Sequence, residues 1–175
     1  MWMMLQVIPI MWRAVRPSKV ADMPAVVNSF WLPKGYEGLT FFGHILTPSQ
    51  ELADRFNAAY GPLKHHEMIH LRQAQSCGDS WLRFYLLYIW YWLKDSLGTV
   101  LSEFKSKLRK NRPQRVVIPK NAAYLLNPFE LEAYGRMYDV GYLKCCEGGA
   151  QEWRAFAKMS LKQRLHYYQN RTKKS

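Results

Sequence analysis

The chain has 175 residues and a formal net charge of +12, with 49% hydrophobic and 15% aromatic side chains. This composition excludes a disordered chain and is sufficient for one domain with its own core. Three cysteines, of which Cys145 and Cys146 are adjacent, exclude a disulfide framework and favour a reducing compartment. The basic excess favours partners with negative surfaces, such as anionic lipid or nucleic acid.

The first part of the chain, residues 1–38, is predicted to be an N-terminal extension of apolar and loop segments. Its beginning, Met1–Trp12, is apolar, but the basic residues Arg13 and Arg16 follow it, which is the wrong order for a secretory signal. The stretch is also too short to cross a bilayer, which requires about 20 residues. We expect it to add to contact with a membrane surface.

A short strand and a first helix are predicted next. Leu39–Leu46 is rich in β-forming residues and lies between Gly38 and Pro48, so one strand is expected there. The segment Thr47-Pro48-Ser49 has the features of a helix start. The helix that it begins should end near Gly61-Pro62.

Two longer helices follow. One should cover Leu63–Cys77 and end at Gly78, in the left-handed conformation that closes many helices. The next should begin near Ser80 and end near Lys110, and its stretch Phe84–Leu93 is apolar or aromatic throughout. Ten helical residues span about 15 Å, half of a hydrocarbon core, so this helix is not expected to cross a membrane. It is either the buried central helix or partly embedded in the membrane interface, where Trp and Tyr concentrate.

The rest of the chain is predicted to contain a basic linker at 105–115, two further helices and a basic tail at 169–175. One helix should begin at Asn127-Pro128, with Asn as the cap and Pro in the first turn. The other should cover about Glu152–Tyr168. The predicted fold class is therefore mainly α (α+β), in a single domain over 1–175, with a small β element before the second helix.

The most informative segment is His66-Glu67-Met68-Ile69-His70. Residues four apart lie on one face of a helix, so the two imidazoles can bind one metal ion. Glu67 lies beside that face, where its carboxylate can take a proton from a metal-activated water. Imidazole nitrogen suits zinc, and a catalytic zinc site needs a third protein ligand and an open position. The alternative is an ordinary pair of histidines on a helix.

A third ligand is expected from the helix that begins at Pro128. At 100° per residue, Glu130 falls on the same face as the apolar residues Phe129 and Met137. A carboxylate turned toward an apolar interior requires a charged partner or a metal. Glu130 is therefore the ligand candidate, and the alternative is an acid favoured by the helix dipole. Glu132 lies on the opposite face and is expected to be solvated or to support a ligand.

Several other polar residues are weaker candidates. Gln73, one turn beyond His70, either orients a ligand or is an ordinary polar residue. His65 is expected to be solvated. His44 on the strand and His166 on the last helix are either donors to a developing oxyanion or ordinary polar residues.

These elements together resemble small gluzincin-like zinc metallopeptidases. The chain has His-Glu-x-x-His-x-x-Gln at 66–73, then the aromatic helix, then Phe-Glu-x-Glu-Ala-Tyr at 129–134. The last element is similar to the third-ligand helix of the HtpX and CAAX-prenyl endoprotease group, although Tyr134 stands where those proteins usually have Asp. The overall length and the stretch Phe84–Tyr88 resemble an uncharacterised family of small bacterial HExxH proteins.

The resemblance spans about Leu39–Leu143 and implies a zincin-like domain that acts as a zinc-dependent hydrolase, with peptidase as the favoured class and a peptide or protein as substrate. It implies Glu67 as the general base and three zinc ligands: His66, His70 and Glu130. The expected location is cytoplasmic, with peripheral contact to anionic lipid at the inner membrane surface. Two alternatives stay open. One is a catalytically idle metal-binding protein that associates with a membrane or a protein partner, and the other is a basic nucleic-acid-binding protein. The second is disfavoured because the basic run lacks interleaved aromatic residues.

Overall fold

The computed structural model describes residues 16–27, 32, 35–58, 60–108, 121–145 and 149–172. Within them the chain is mainly α-helical with one small sheet, which confirms the predicted fold class. These residues form two compact units, one from the described parts of Met1–Phe84 and Arg136–Ala150, the other from those of Tyr85–Gly135 and Gln151–Ser175. Among the described helices, none combines the length and the apolar character that a membrane crossing requires.

The elements of the described residues follow a short 3-10 helix at Pro17–Lys19 and are numbered in chain order: β1 (Ala25–Val27), β2 (Leu39–Phe41), β3 (His44–Thr47), α1 (Gln50–Ala58), α2 (Pro62–Ser76), α3 (Trp81–Leu108), α4 (Ala122–Leu125), α5 (Pro128–Arg136), α6 (Tyr142–Cys145), α7 (Trp153–Lys158) and α8 (Leu161–Thr172). Part of the predicted basic linker and tail is helical, since 105–108 continue α3 and 169–172 continue α8. The apolar Met1–Trp12 and residues 109–115 of the linker lie outside the described residues.

The β element is a three-stranded sheet in the order β1-β3-β2. β1, which comes from the predicted N-terminal extension, pairs parallel to β3, and β2 pairs antiparallel to β3. The prediction of one strand over Leu39–Leu46 was wrong, because the segment is a hairpin that turns at Phe42 and Gly43. Both residues have positive φ, 44° and 88°, as in the tight two-residue turns that match the twist of a hairpin.

In helix α2 all eight residues from 64 to 71 are buried, and the helix confirms the predicted helix over Leu63–Cys77. It begins with Pro62 after Gly61, at a position that needs no backbone donor. It ends before Gly78, whose φ of 79° is the expected left-handed closure. A helix buried on every side is normally apolar. This one buries an unusual set of polar side chains, those of Lys64, His65, His66, Glu67, His70, Gln73 and Ser76.

The segment Gly149-Ala150 packs directly on the backbone of α2. The Ala150 N–H donates to the carbonyl of Arg72 at 3.0 Å. Gly149 has a φ of 94°, and a Cβ atom at this position would lie 2.2 Å from the same carbonyl oxygen. Because only glycine tolerates both the conformation and the approach, this residue is what allows the late segment to cover the helix.

In the second unit, one face of α3 packs against aromatic and charged side chains from later helices. Phe129 of α5 stacks on Trp153 of α7 with a centroid distance of 4.5 Å, and Tyr91 of α3 meets both rings edge on. Farther along α3, the Asp95 carboxylate accepts two hydrogen bonds from the Arg164 guanidinium at 2.5 and 2.7 Å. This face of α3 is the core of the unit.

The start of α5 is fixed by Asn127, as the sequence predicts. Its Oδ1 accepts the Phe129 N–H at 3.1 Å, while its Nδ2 donates to the carbonyl of Tyr88 at 3.2 Å. Asn127 is fully buried. One side chain therefore both caps α5 and attaches it to α3. The helix ends at Arg136, soon after the position of Glu130 and Glu132.

The prediction of one last helix over Glu152–Tyr168 was wrong, because α7 and α8 are separated at Met159 and Ser160. The Ser160 N–H donates to Gln163 Oε1 at 2.8 Å, and the Gln163 N–H donates to Ser160 Oγ at 3.3 Å. This reciprocal pair is a capping box, which starts a new helix.

Candidate metal centre

His66 and His70 lie one turn apart on α2 and bring their ring nitrogens together. Both side chains are buried, and their Nε2 atoms are 3.2 Å apart. The rings meet at an interplanar angle of 86°. This is the shared face that the i, i+4 spacing predicts.

Gln73 determines which nitrogen of His70 carries the proton. The Nδ1 atom of His70 lies 2.8 Å from the Oε1 atom of Gln73. An amide oxygen can only accept, so Nδ1 carries the hydrogen and Nε2 of the neutral ring offers a lone pair. Of the two sequence-based alternatives for Gln73, the geometry therefore favours the one in which it orients His70.

The distance between the two Nε2 atoms fits a common metal ion. Two nitrogens at about 2.0–2.1 Å from one tetrahedral ion are about 3.3 Å apart. The observed separation is 3.2 Å. The pair is thus arranged so that either one proton or one cation can lie between the two nitrogens, and the donor set of imidazoles suits zinc.

Glu67 is held by a strand of the sheet. The hydroxyl of Thr40 on β2 donates to Glu67 Oε2 at 2.5 Å. Glu67 is buried, and so is Thr40, which is the residue of β2 that points inward between exposed Leu39 and half-buried Phe41. Sequence reasoning missed Thr40, although strict alternation along the strand marks it as the inward position.

Glu130 lies in the first turn of α5, where the helical period predicts an inward-facing carboxylate. It is 2% exposed, and its Oε1 accepts a hydrogen bond from the hydroxyl of Tyr88 at 2.7 Å. One ligand atom from each of His66, His70 and Glu130 lies within 4.8 Å of the other two, and all three side chains are buried.

Two expectations of solvent exposure were wrong. Glu132 was expected to be solvated or to support a ligand, and His65 to be solvated, but both are buried at 2% exposure or less. The alternative in which Glu132 supports a ligand stays a prediction. The carboxylate of Glu132 accepts the backbone N–H of Glu152 at 2.8 Å, so it caps a backbone group. His65 packs edge on against Tyr60, and burial lowers the pKa of its imidazole. Segments distant in sequence cover both side chains, which helix periodicity cannot reveal.

The remaining candidates have ordinary surroundings. His166 is exposed and pairs with Asn170 at 3.0 Å, and His44 is half-buried on β3. The hydroxyl of Tyr134 lies 3.3 Å from that of Tyr124. Burial, followed by the nearby Glu130 carboxylate, raises the pKa of Tyr124 well above its usual range. The phenol of Tyr124 therefore stays neutral at any pH at which the protein works.

The chain matches no family model, no curated protein and no solved structure. The resemblance to gluzincin-like metallopeptidases thus stays a prediction from short motifs. Any assignment of function depends on the chemistry of the side chains that α2 and α5 present.

Proposed function

We propose that this protein is a zinc-dependent hydrolase whose substrate class is the peptide bond. The observation that carries the proposal is the convergence of ligand atoms from His66, His70 and Glu130. It is the one group of its kind among the described residues. Two imidazoles and a carboxylate are a donor set of catalytic zinc sites, which leave one position for water or substrate.

The chemistry would be divided between the ion and Glu67. When bound, zinc supplies Lewis acidity, which polarises a carbonyl group and acidifies water. The Glu67 carboxylate takes a proton from the water whose oxygen bonds to the carbonyl carbon. As the carbon–nitrogen bond breaks, Glu67 passes that proton to the leaving amine. Because the Thr40 hydroxyl engages Oε2, Oε1 is the atom assigned to the proton.

Two further hydrogen bonds support the ligands in this proposal. Gln73 holds the tautomer of His70 in which Nε2 can bind a metal. The Tyr88 hydroxyl donates to Glu130 Oε1, which leaves the other oxygen as the expected ligand atom. Such outer hydrogen bonds orient the ligands of zinc sites and raise their affinity.

The proposal includes a cytoplasmic location with peripheral contact at the inner membrane surface. It is supported by the cysteine pattern of the sequence, in which Cys145 and Cys146 are adjacent and Cys77 is the third, and by the net charge of +12.

The deciding experiment compares purified wild type with Glu67→Gln. Both should contain zinc and melt at the same temperature, but Glu67→Gln should hydrolyse a library of internally quenched peptides several orders of magnitude more slowly, because glutamine cannot accept the proton. Glu51→Gln, on the exposed side of α1, is the matched control and should keep full activity.

Each other outcome has a definite meaning. A wild type without zinc, or hydrolysis that survives Glu67→Gln at the wild-type rate, would overturn the proposed mechanism. A wild type that binds zinc and cleaves no peptide would favour the catalytically idle metal-binding protein instead.

A further inference from the structure

Helix α3 carries an apolar surface that the core of the second unit does not use. Six large apolar side chains on it are between 51% and 62% exposed. They define the α3 stripe: Leu86, Ile89, Trp90, Leu93, Leu97 and Val100. One face of the aromatic helix is therefore core and the other is apolar and exposed, and the membrane-interfacial interpretation stays a prediction.

The α3 stripe is narrow, straight and continuous. At 100° and 1.5 Å per residue its six side chains fall within an arc of about 100° and extend over about 21 Å. The buried Asp95 lies on the opposite side of the helix. No charged side chain falls within the arc. Scattered surface leucines need no explanation, but a contiguous stripe of this length marks an interaction surface.

Among the described residues of this unit, the exposed charges are of one sign. Lys94 is exposed about 40° beyond Trp90, at the edge of the stripe. The other exposed charged side chains are also basic, namely Arg154, Lys158 and Lys162. Of the carboxylates, those of Asp95, Glu130 and Glu132 are buried and that of Glu152 is half-buried.

We infer that the α3 stripe is the surface by which the protein sits on a bilayer rich in anionic lipid. An apolar stripe that contains Trp, with lysine at its edge, matches the interface of acyl chains and anionic headgroups. A second copy of the chain fits less well, because it would bring together two copies of Lys94 and two net charges of +12. The inference rests on the membrane contact within the proposed function and assigns it to named residues.

The test is flotation with vesicles, using the Glu67→Gln protein so that the result does not depend on hydrolysis. Binding should be strong to phosphatidylcholine vesicles that contain phosphatidylglycerol, weak to phosphatidylcholine alone, and reduced by high salt. The double variant Leu86→Glu with Leu93→Glu should lower vesicle affinity at least about tenfold, because it removes two apolar anchors and adds repulsion. Lys94→Glu should give a smaller loss that disappears in high salt.

Tyr138→Glu is the matched control, since Tyr138 is an exposed aromatic residue of the first unit, 74% exposed. It should bind vesicles like the parent, and circular dichroism melting should show that all variants stay folded. The inference would be overturned if the folded double variant bound vesicles as strongly as the Glu67→Gln parent. It would also be overturned if the parent bound neutral and anionic vesicles equally. A concentration-dependent dimer that the double variant abolishes, without vesicle binding by the parent, would assign the stripe to a second copy. Peptide hydrolysis by the wild type is measured separately, so failure here leaves the proposed chemistry untouched.

Discussion

Asp95 and Arg164 are as deeply buried as His66 and His70, but the two pairs differ in charge and in hydrogen bonding. The guanidinium of Arg164 meets both oxygens of Asp95 and also donates to the carbonyl of Leu126. Opposite charges in this bidentate geometry neutralise each other inside the protein. This ion pair joins α3 and α8.

The histidine pair has no opposite charges to neutralise each other. Its Nε2 atoms are 3.2 Å apart, a separation that one proton or one cation can bridge. Two pairs at similar burial therefore differ in chemistry, because the ion pair holds two helices together whereas the two imidazoles share a position suited to a proton or a metal ion. Burial alone does not indicate function.

The largest expected effect comes from removing the proposed third ligand. A structural zinc site gains about 10–16 kcal/mol from three or four ligands, so Glu130→Ala should lower zinc affinity by about three orders of magnitude. Glu132→Ala should keep the zinc, because its carboxylate accepts the backbone N–H of Glu152 and is not one of the three proposed ligands. Competition with a fluorescent chelator measures both. The opposite pattern, with zinc lost in Glu132→Ala alone, would show that the wrong carboxylate was chosen.

Loss of the ion pair between Asp95 and Arg164 should lower the stability of the fold and leave the zinc content unchanged. Arg164→Met leaves the Asp95 carboxylate buried without its partner and should lower the free energy of unfolding by about 3–5 kcal/mol. The double variant with Asp95→Leu should recover most of that loss, because no charge is then buried. Urea denaturation gives the energies. Loss of zinc from a folded Arg164→Met protein would show that the ion pair also supports zinc binding, contrary to this prediction.

A smaller effect is expected at the hydrogen bond that orients His70. Gln73→Leu should lower zinc affinity about 10–100-fold, as is usual when a supporting partner of a zinc ligand is lost. Gln73→Glu keeps an acceptor in place and should restore much of the affinity. Gln75→Leu on the same helix is the control. An unchanged affinity in Gln73→Leu would mean that the tautomer of His70 does not depend on this contact.

The smallest effect is expected at Thr40. Thr40→Val removes the hydroxyl that donates to Glu67 Oε2 and should reduce kcat by about tenfold, which corresponds to one hydrogen bond of about 1.4 kcal/mol. Zinc content should not change, and Thr40→Ser should restore the rate. A variant Thr40→Val with normal kcat and raised KM would show that Thr40 acts on substrate binding rather than on the position of Glu67.

Local signals predicted the parts of the site that a single segment determines. Pro62 and Gly78 predicted the ends of α2, Asn127 and Pro128 predicted the start of α5, and the helical period placed Glu130 inward. These features depend on residues that are neighbours in the sequence, so the local sequence is sufficient to predict them.

Features that depend on distant segments could not be predicted. The burial of Glu132 requires the backbone of Glu152, and that of His65 requires the surroundings of α2. The hairpin was missed because Phe42 has a positive φ, a conformation that phenylalanine rarely adopts and that its residue type therefore does not predict. The exposed face of α3 was equally hidden, since an unbroken apolar run has no period from which to infer a side.

The contact of Gly149-Ala150 with Arg72 has a consequence for synthesis on the ribosome. The first unit is discontinuous, and its helix α2 receives the Ala150 N–H from a segment that is translated long after it. Contacts between distant segments form late, and incomplete units expose surface in the meantime. The helix that carries both histidines therefore cannot be fully enclosed until translation has passed residue 150. A nascent chain stalled just before that point should remain protease-sensitive at α2, whereas the released 175-residue chain should be resistant there.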